Sequence, residues 1–208
     1  MKAVMLIPGP DGGRIEVQDA PQPTPGPRDV LIKVKATAIN RGEVAGRRGL
    51  KTGDPVISGI ELAGEVAGVG AGLDGGATDF KVGDRVMGQV RGCNADFAVA
   101  DRDLLMPVPD HLDWVQAASL PNVLVTAHDA IVTNGVLTAG ETVLVNAGSS
   151  GIGIAAIQIA RALGAGTIIA TSRGPEKLAA LEALGANVRV DLSSESIVDA
   201  VAAATDGK

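Results

Sequence analysis

Residues 141 to 164, ETVLVNAGSSGIGIAAIQIARALG, constrain what this chain can fold into more than any other stretch. They pass from a short β-branched apolar segment through a glycine-rich turn into an amphipathic segment that closes on glycine. Thr142 to Val145 alternate too little for a half-exposed strand, which predicts a strand buried on both faces of a parallel sheet. Gly148, Gly151 and Gly153 mark the turn. A turn this tight needs positive φ or close backbone approach, and glycine supplies both, so that main-chain N–H groups and a helix N-terminus can meet a pyrophosphate. Gly148, Ser149, Ser150, Gly151, Ile152 and Gly153 are therefore the expected cofactor-binding turn. Ile154, Ile157 and Ala160 through Leu163 are the expected buried stripe of the helix, and Gly164 stops it.

Glycine turns also join strands to helices with nothing bound, so the surroundings decide. A second strand is predicted at Thr167 to Thr171, a second helix at Pro175 to Leu184 and a third strand at Asn187 to Asp191. Three strands at this spacing behind such a turn favour dinucleotide binding. With Gly148 first and Gly153 last in G-x-G-x-x-G, the middle position is Ser150, which crowds the backbone but brings a hydroxyl able to donate to a phosphate oxygen. Selectivity turns on the end of the second strand, where an NAD enzyme places Asp or Glu for the ribose 2′-hydroxyl. Here Thr171 is followed by Ser172 and Arg173, with Lys177 about a helical turn later. No acid is present, and two cations suit a 2′-phosphate, which points to NADPH. The competing reading is a solvated helix start.

Composition narrows the partners. Eighteen basic and 24 acidic residues leave a net charge of −6, which argues against a nucleic-acid groove or an anionic membrane surface. A single cysteine, Cys93, excludes an intrachain disulfide and a multi-cysteine zinc lobe, and it suits a reducing compartment. The apolar run at the N-terminus is broken at once by Pro8 and Gly9, too early for a signal segment. A soluble, cytoplasmic protein is the expectation.

The first half is punctuated by Pro and Gly, with short strands predicted at Asp29 to Ala36, Leu62 to Val69, Arg85 to Val90 and Ala95 to Ala100. This predicts a small irregular barrel, with Asp74 to Asp79 as an exposed connection. Helices are predicted from Asp113 and over Asn122 to Asn134. The domain joint is placed near residue 120, giving domains 1–120 and 121–208, and a cleft between two such domains is where substrate would meet cofactor.

The succession DVLIKVKATAINRGE from Asp29, GIELAGEV from Gly59, FKVGDRV from Phe80, ADF from Ala95, SLP from Ser119, TAH from Thr126 and NAGSSGIG from Asn146 resembles the quinone oxidoreductase, or zeta-crystallin-like, branch of the medium-chain dehydrogenases/reductases. The resemblance implies an α/β chain with an N-terminal GroES-like β-barrel domain, then the first half of a Rossmann domain, with NADPH as hydride donor. It implies catalytic and cofactor-facing roles for Asn40 and Thr126, and 2′-phosphate binding by Ser172 and Lys177, with Arg173 beside them. Asn40 also reads as a turn residue capping a helix that begins near Gly42. Two positions depart from the family: Glu43 stands where relatives have Asp, and His128 where they have tyrosine.

Many relatives of this architecture hold catalytic zinc, which needs three protein ligands and an open fourth position. Where those relatives carry glycine-histidine-glutamate, this chain reads Gly59-Ile60-Glu61, and Ile60 cannot ligate a metal. No metal site is expected. The implied function is zinc-free hydride transfer from NADPH to a quinone or other conjugated carbonyl. Enoyl-thioester reduction and NADPH binding without turnover are the alternatives. Short-chain dehydrogenases share the glycine turn but need a catalytic tyrosine, and this chain has none. The sequence stops at Asp206-Gly207-Lys208, where the resembled family continues. The expectation is a partial sequence whose first Rossmann strand forms an exposed edge able to pair with another chain, a homodimer among the outcomes.

Overall fold

The computed structural model describes residues 1–73 and 80–207, so the predicted connection at Asp74 to Asp79 lies outside the described residues. The chain divides into two compact units, Met1–Asn122 and Val123–Lys208. The first unit holds strands β1 (Lys2–Ile7), β2 (Arg14–Asp19) and β3 (Asp29–Thr37), then helix α1 (Arg41–Gly49). Strands β4 (Val56–Ile57), β5 (Leu62–Val69), β6 (Arg85–Gly88), β7 (Phe97–Asp101) and β8 (Leu105–Pro107) follow, and α2 (Trp114–Ala118) comes last.

These strands make two antiparallel sheets, ordered β7-β3-β5-β6-β8 and β2-β1-β4. Register shifts at Leu31/Ile32 and Val34/Ala36 bend β3 along β5, and such bulges increase the local coil of a sheet. A bridge between Ala3 and Ala95, with Val4 N–H donating to Asn94 and Asp96 N–H to Lys2, joins the small sheet to the large one. The result is the GroES-like irregular barrel, closed around Val30, Ile32, Leu62, Val66, Val86 and Ala98. Strands β1, β2, β4 and β8 are additions to those the sequence predicts. In β2, Ile15 and Val17 lie largely exposed, so alternation there does not report burial. The α2 helix begins where predicted because Asp113 accepts from Gln116 N–H and Gln116 returns a bond to Asp113 N–H.

Helix α3 (Pro121–His128) crosses the division and runs on as a π-turn at Asp129–Asn134. The second unit continues with β9 (Thr142–Val145), α4 (Gly151–Ala162), β10 (Thr167–Ser172), α5 (Pro175–Leu184), β11 (Val188–Asp191) and α6 (Ile197–Ala204). The sheet is parallel, in the order β11-β10-β9, the start of a Rossmann-type arrangement. The middle strand is covered on both faces, and Ile168 to Thr171 are all buried.

Two local expectations are corrected. β9 is not buried on both faces: Val145 is buried, but Thr142 is exposed and Leu144 is 40% exposed. The strand is the sheet's edge among the described residues, and only the face carrying Val143 and Val145 packs into the core. In α4, Ile154 and Leu163 turn outward, whereas Ala155, Ala156, Ile157 and Ala160 face inward. Small alanines let the helix lie close to the sheet, so the inward stripe is set by size as much as by hydropathy. Gly164, at φ 79°, ends the helix as expected, and Ala165 N–H returns to Ala160.

Ile157 is fully buried in the second unit's core. Ile157→Ala should cost about 2–5 kcal/mol of stability through lost contacts and a cavity. Ile154→Ala should cost less than half as much, which denaturant titration of the two variants will check.

Candidate functional site

In the second unit, the ends of β9 and β10 are laced together around the glycine turn. Gly148 N–H donates to the Thr171 carbonyl at 2.7 Å, Ala147 N–H donates to Thr171 Oγ1, and that hydroxyl donates to Asn146 Oδ1. The glycines serve close approach. A Cβ on Gly153 would stand 2.4 Å from the Ala147 carbonyl, and one on Gly148 would meet Leu181 and Ala170 side chains at 2.9 and 3.1 Å. Neither has positive φ; the left-handed residue in this turn is Ala147, at φ 53°. Ser150 is the N-cap of α4, its hydroxyl accepting from Gly153 N–H at 3.1 Å. Gly151 and Ile152 occupy the first helical positions, where N–H groups have no intrahelical partner, and both are exposed.

The residues expected at a 2′-phosphate gather beside this turn. Ser172 ends β10, only 5% exposed, and its hydroxyl lies 2.7 Å from that of Ser149. Arg173 and Lys177 are exposed at the start of α5, which has Gly174 as its N-cap and Pro175 in its first turn. Asp191, at the end of β11, accepts from Gly174 N–H, and its bonds from Ser193 hold its carboxyl below the usual range. Thr126 is exposed on α3. The predicted turn residues, Ser172, Arg173 and Lys177 are thus grouped on one rim of the parallel sheet. A glycine-rich turn opening a twelve-residue helix is the kind of feature that can hold a pyrophosphate.

In the first unit, Asn40 is the N-cap residue of α1, with extended φ −98° and ψ 149°. Glu43 accepts from Asn40 N–H at 2.8 Å, so Asn40 opens the helix as the turn reading expects. The Asn40 side chain, however, points into a network that sequence reasoning missed. Its Nδ2 donates to Glu61 Oε1 at 2.7 Å, and its Oδ1 accepts from Asn122 Nδ2 at 2.8 Å. Glu61 Oε2 accepts from Asn122 N–H at 2.8 Å, and Asn122 Oδ1 accepts from Gln89 Nε2. Glu61 is 2% exposed. The signal was visible as an isolated acid in the apolar run Ile60-Glu61-Leu62-Ala63, but a contact across 61 residues from Glu61 to Asn122 was not.

No group of three or more His, Cys, Asp or Glu side chains able to hold a metal is present among the described residues. Cys93 is buried, its thiol donating to the Glu61 carbonyl. Burial pushes this thiol up to about 12. Gly59, at φ 103°, makes room for it: a Cβ there would lie 2.7 Å from the sulfur. Among the described residues no helix is long and apolar enough to cross a membrane.

An irregular antiparallel barrel followed by a parallel sheet with a glycine turn defines the GroES-like plus Rossmann-type class of α/β chain. Residues 26–110 match the alcohol dehydrogenase GroES-like domain, and residues 151–208 match the zinc-binding dehydrogenase family. The chain is 34% identical to the quinone oxidoreductase of Pseudomonas aeruginosa, over 93% of its own length and 59% of that protein. It is 33% identical to the chloroplastic NADPH-dependent alkenal/one oxidoreductase of Arabidopsis thaliana, covering 82% of this chain and 46% of the relative. It is 42% identical to polyketide synthase GfsB of Streptomyces halstedii, over 75% of this chain and 3% of that one. Among solved structures, a quinone oxidoreductase of Pseudomonas syringae aligns at 33% identity with a TM-score of 0.85, covering all of this chain and 63% of that one. A mycobacterial protein solved in complex with NADPH aligns equally well, at 33% and 0.85, over all of this chain and 64% of its own. The chain belongs to the medium-chain dehydrogenase/reductase superfamily, and it spans less than two thirds of the length of these relatives.

With its thiol held protonated and covered, Cys93 should react with a disulfide reagent at pH 8 roughly a thousandfold more slowly than a free cysteine. Full reactivity should return on unfolding in denaturant. Absorbance of the released thiolate measures both rates.

Proposed function

We propose that this chain is part of a zinc-independent, NADPH-dependent reductase that passes hydride to a quinone or other conjugated carbonyl. One observation carries the reading. The rim of the parallel sheet offers a glycine-rich turn at a helix N-terminus, next to a strand end with a serine pair, Arg173 and Lys177 and no acid at the position that would take a ribose 2′-hydroxyl. The NADPH named for two of the relatives supports the same choice.

NADPH, when bound, supplies the hydride. The chain's own part is to hold and polarise. The first N–H groups of α4 would hold the pyrophosphate, and Gly148 and Gly153 let that helix begin close against the strand ends. Arg173 and Lys177 would bind the 2′-phosphate, with the paired Ser149 and Ser172 hydroxyls as further hydrogen-bonding groups. Thr126 serves the nicotinamide end, and Asn40 donates to the acceptor's carbonyl oxygen as it gains charge.

Zinc independence rests on residue chemistry. Ile60 has no donor atom, and the only cysteine is buried, protonated and bonded to a main-chain carbonyl. Enoyl-thioester reduction is a second reading, favoured by the polyketide synthase stretch that matches at the higher identity. Comparing NADPH consumption with a quinone and with an enoyl thioester separates the two, and consumption with neither acceptor would sink both.

NADPH should bind more tightly than NADH. Changing Arg173 and Lys177 together to alanine should erase most of that preference, at roughly 1.5–3 kcal/mol per charge-assisted contact. Equal affinities in the unmutated protein, measured by fluorescence titration, would refute the assignment.

Metal analysis of the purified protein should find no stoichiometric zinc, and a chelator should leave NADPH consumption unchanged. Activity lost to the chelator and restored by zinc would overturn the proposal.

A further inference from the structure

Glu61 is a buried carboxylate that no Lys or Arg pairs with among the described residues. A charge in that position is costly unless hydrogen bonds to it are well placed. Both oxygens are used, one by Asn40 Nδ2 and the other by Asn122 N–H in the first turn of α3, where the helix end favours negative charge. Its position therefore does more than fill space.

The consequence lies in the direction of the amides. An ionised carboxylate only accepts, so Asn40 must present its NH2 to Glu61. Its carbonyl oxygen is then turned to Asn122, which must present its own NH2, and the Asn122 carbonyl oxygen in turn takes Gln89 Nε2. A side-chain amide can flip end for end at little cost when nothing defines it. Here the acceptor-only end at Glu61 defines three amides in series. It also determines what Asn40, half-buried at the surface of its unit, still has to offer: the second Nδ2 hydrogen, which has no partner among the described residues.

We propose that Glu61 is a positioning residue: it sets the sense of the Gln89–Asn122–Asn40 amide series, and so leaves Asn40 with one uncommitted N–H as the donor to the acceptor's carbonyl oxygen. This rests on the role proposed for Asn40 in reduction. The residues proposed for the pyrophosphate and 2′-phosphate make no bond to Glu61 among the described residues, so its loss acts on the reduction step more than on cofactor affinity.

Three variants test it. Glu61→Gln puts a donor into the pair; to keep the bond from Asn122 N–H, it must turn its own NH2 to Asn40 and reverse the series. Glu61→Asp keeps an acceptor-only group. Gln89→Glu opposes the series from its far end, at a half-buried position where folding is less at risk. In the full chain, with asparagine side-chain amides labelled with 15N, Glu61→Gln and Gln89→Glu should shift the Asn40 and Asn122 NH2 resonances. Glu61→Asp should largely keep them. With NADPH and a quinone, Glu61→Gln should lower kcat roughly tenfold, the loss of about one well-placed hydrogen bond, while KM for NADPH stays within about twofold. Glu61→Asp should recover most of that loss, and Glu61→Gln should add nothing to Asn40→Ala.

Wild-type amide resonances in both Glu61→Gln and Gln89→Glu would overturn the proposal, as would a full further loss in the double variant. An absence of turnover in every protein, wild type included, would overturn the proposed reductase activity instead. The amide spectra would then still decide whether Glu61 sets the series.

Discussion

The second unit depends on a close approach of main chain to main chain at the start of α4. Gly153 lies against the Ala147 carbonyl with no room for a side chain, and Gly148 lies against the side chains of β10 and α5. This contact lets the helix begin directly above the strand ends. It leaves the first N–H groups of α4 exposed, and it draws Thr171 into bonds with three residues of the turn. A substituent at either glycine would push helix and sheet apart and move the rim on which Ser172, Arg173 and Lys177 sit. Packing and binding are here consequences of one steric fact.

In the first unit the organising contact is polar. A barrel of short strands closes on an apolar core, and Glu61 stands at the edge of that core, next to Leu62 and linked through its carbonyl to the Cys93 thiol. The same residue binds the N-cap of α1 through Asn40 and the start of α3 through Asn122. Burying a carboxylate without a cation is expensive, and a structure that does so ties several backbone segments to the same two oxygens. The amide groups around it thereby acquire a fixed direction, and an asparagine with a fixed direction is a more discriminating donor than one free to flip.

Much of the second unit is legible in the order of its residues. Strand, turn and helix at 141–164 follow from β-branched residues, glycines and the helical period, all local in sequence. Helix α5 falls at Pro175–Leu184 as predicted, because proline and glycine mark its ends. The absence of an acid after β10 is equally readable. The burial of β9 is not, because an unbroken apolar run records capacity for burial, whereas burial itself depends on which neighbours a strand has.

What the sequence alone determined is therefore what local sterics and periodicity control: the order of elements, the glycine turn, the lack of a histidine at Ile60 and of any tyrosine. Which face of α4 points inward, which glycines serve contact rather than φ, and the gathering of Asn40, Glu61, Gln89 and Asn122 into one hydrogen-bonded series were decided only by the tertiary structure. Those features join residues up to 82 positions apart. Their physical basis is the packing of segments distant along the chain, and no periodicity in the sequence encodes it.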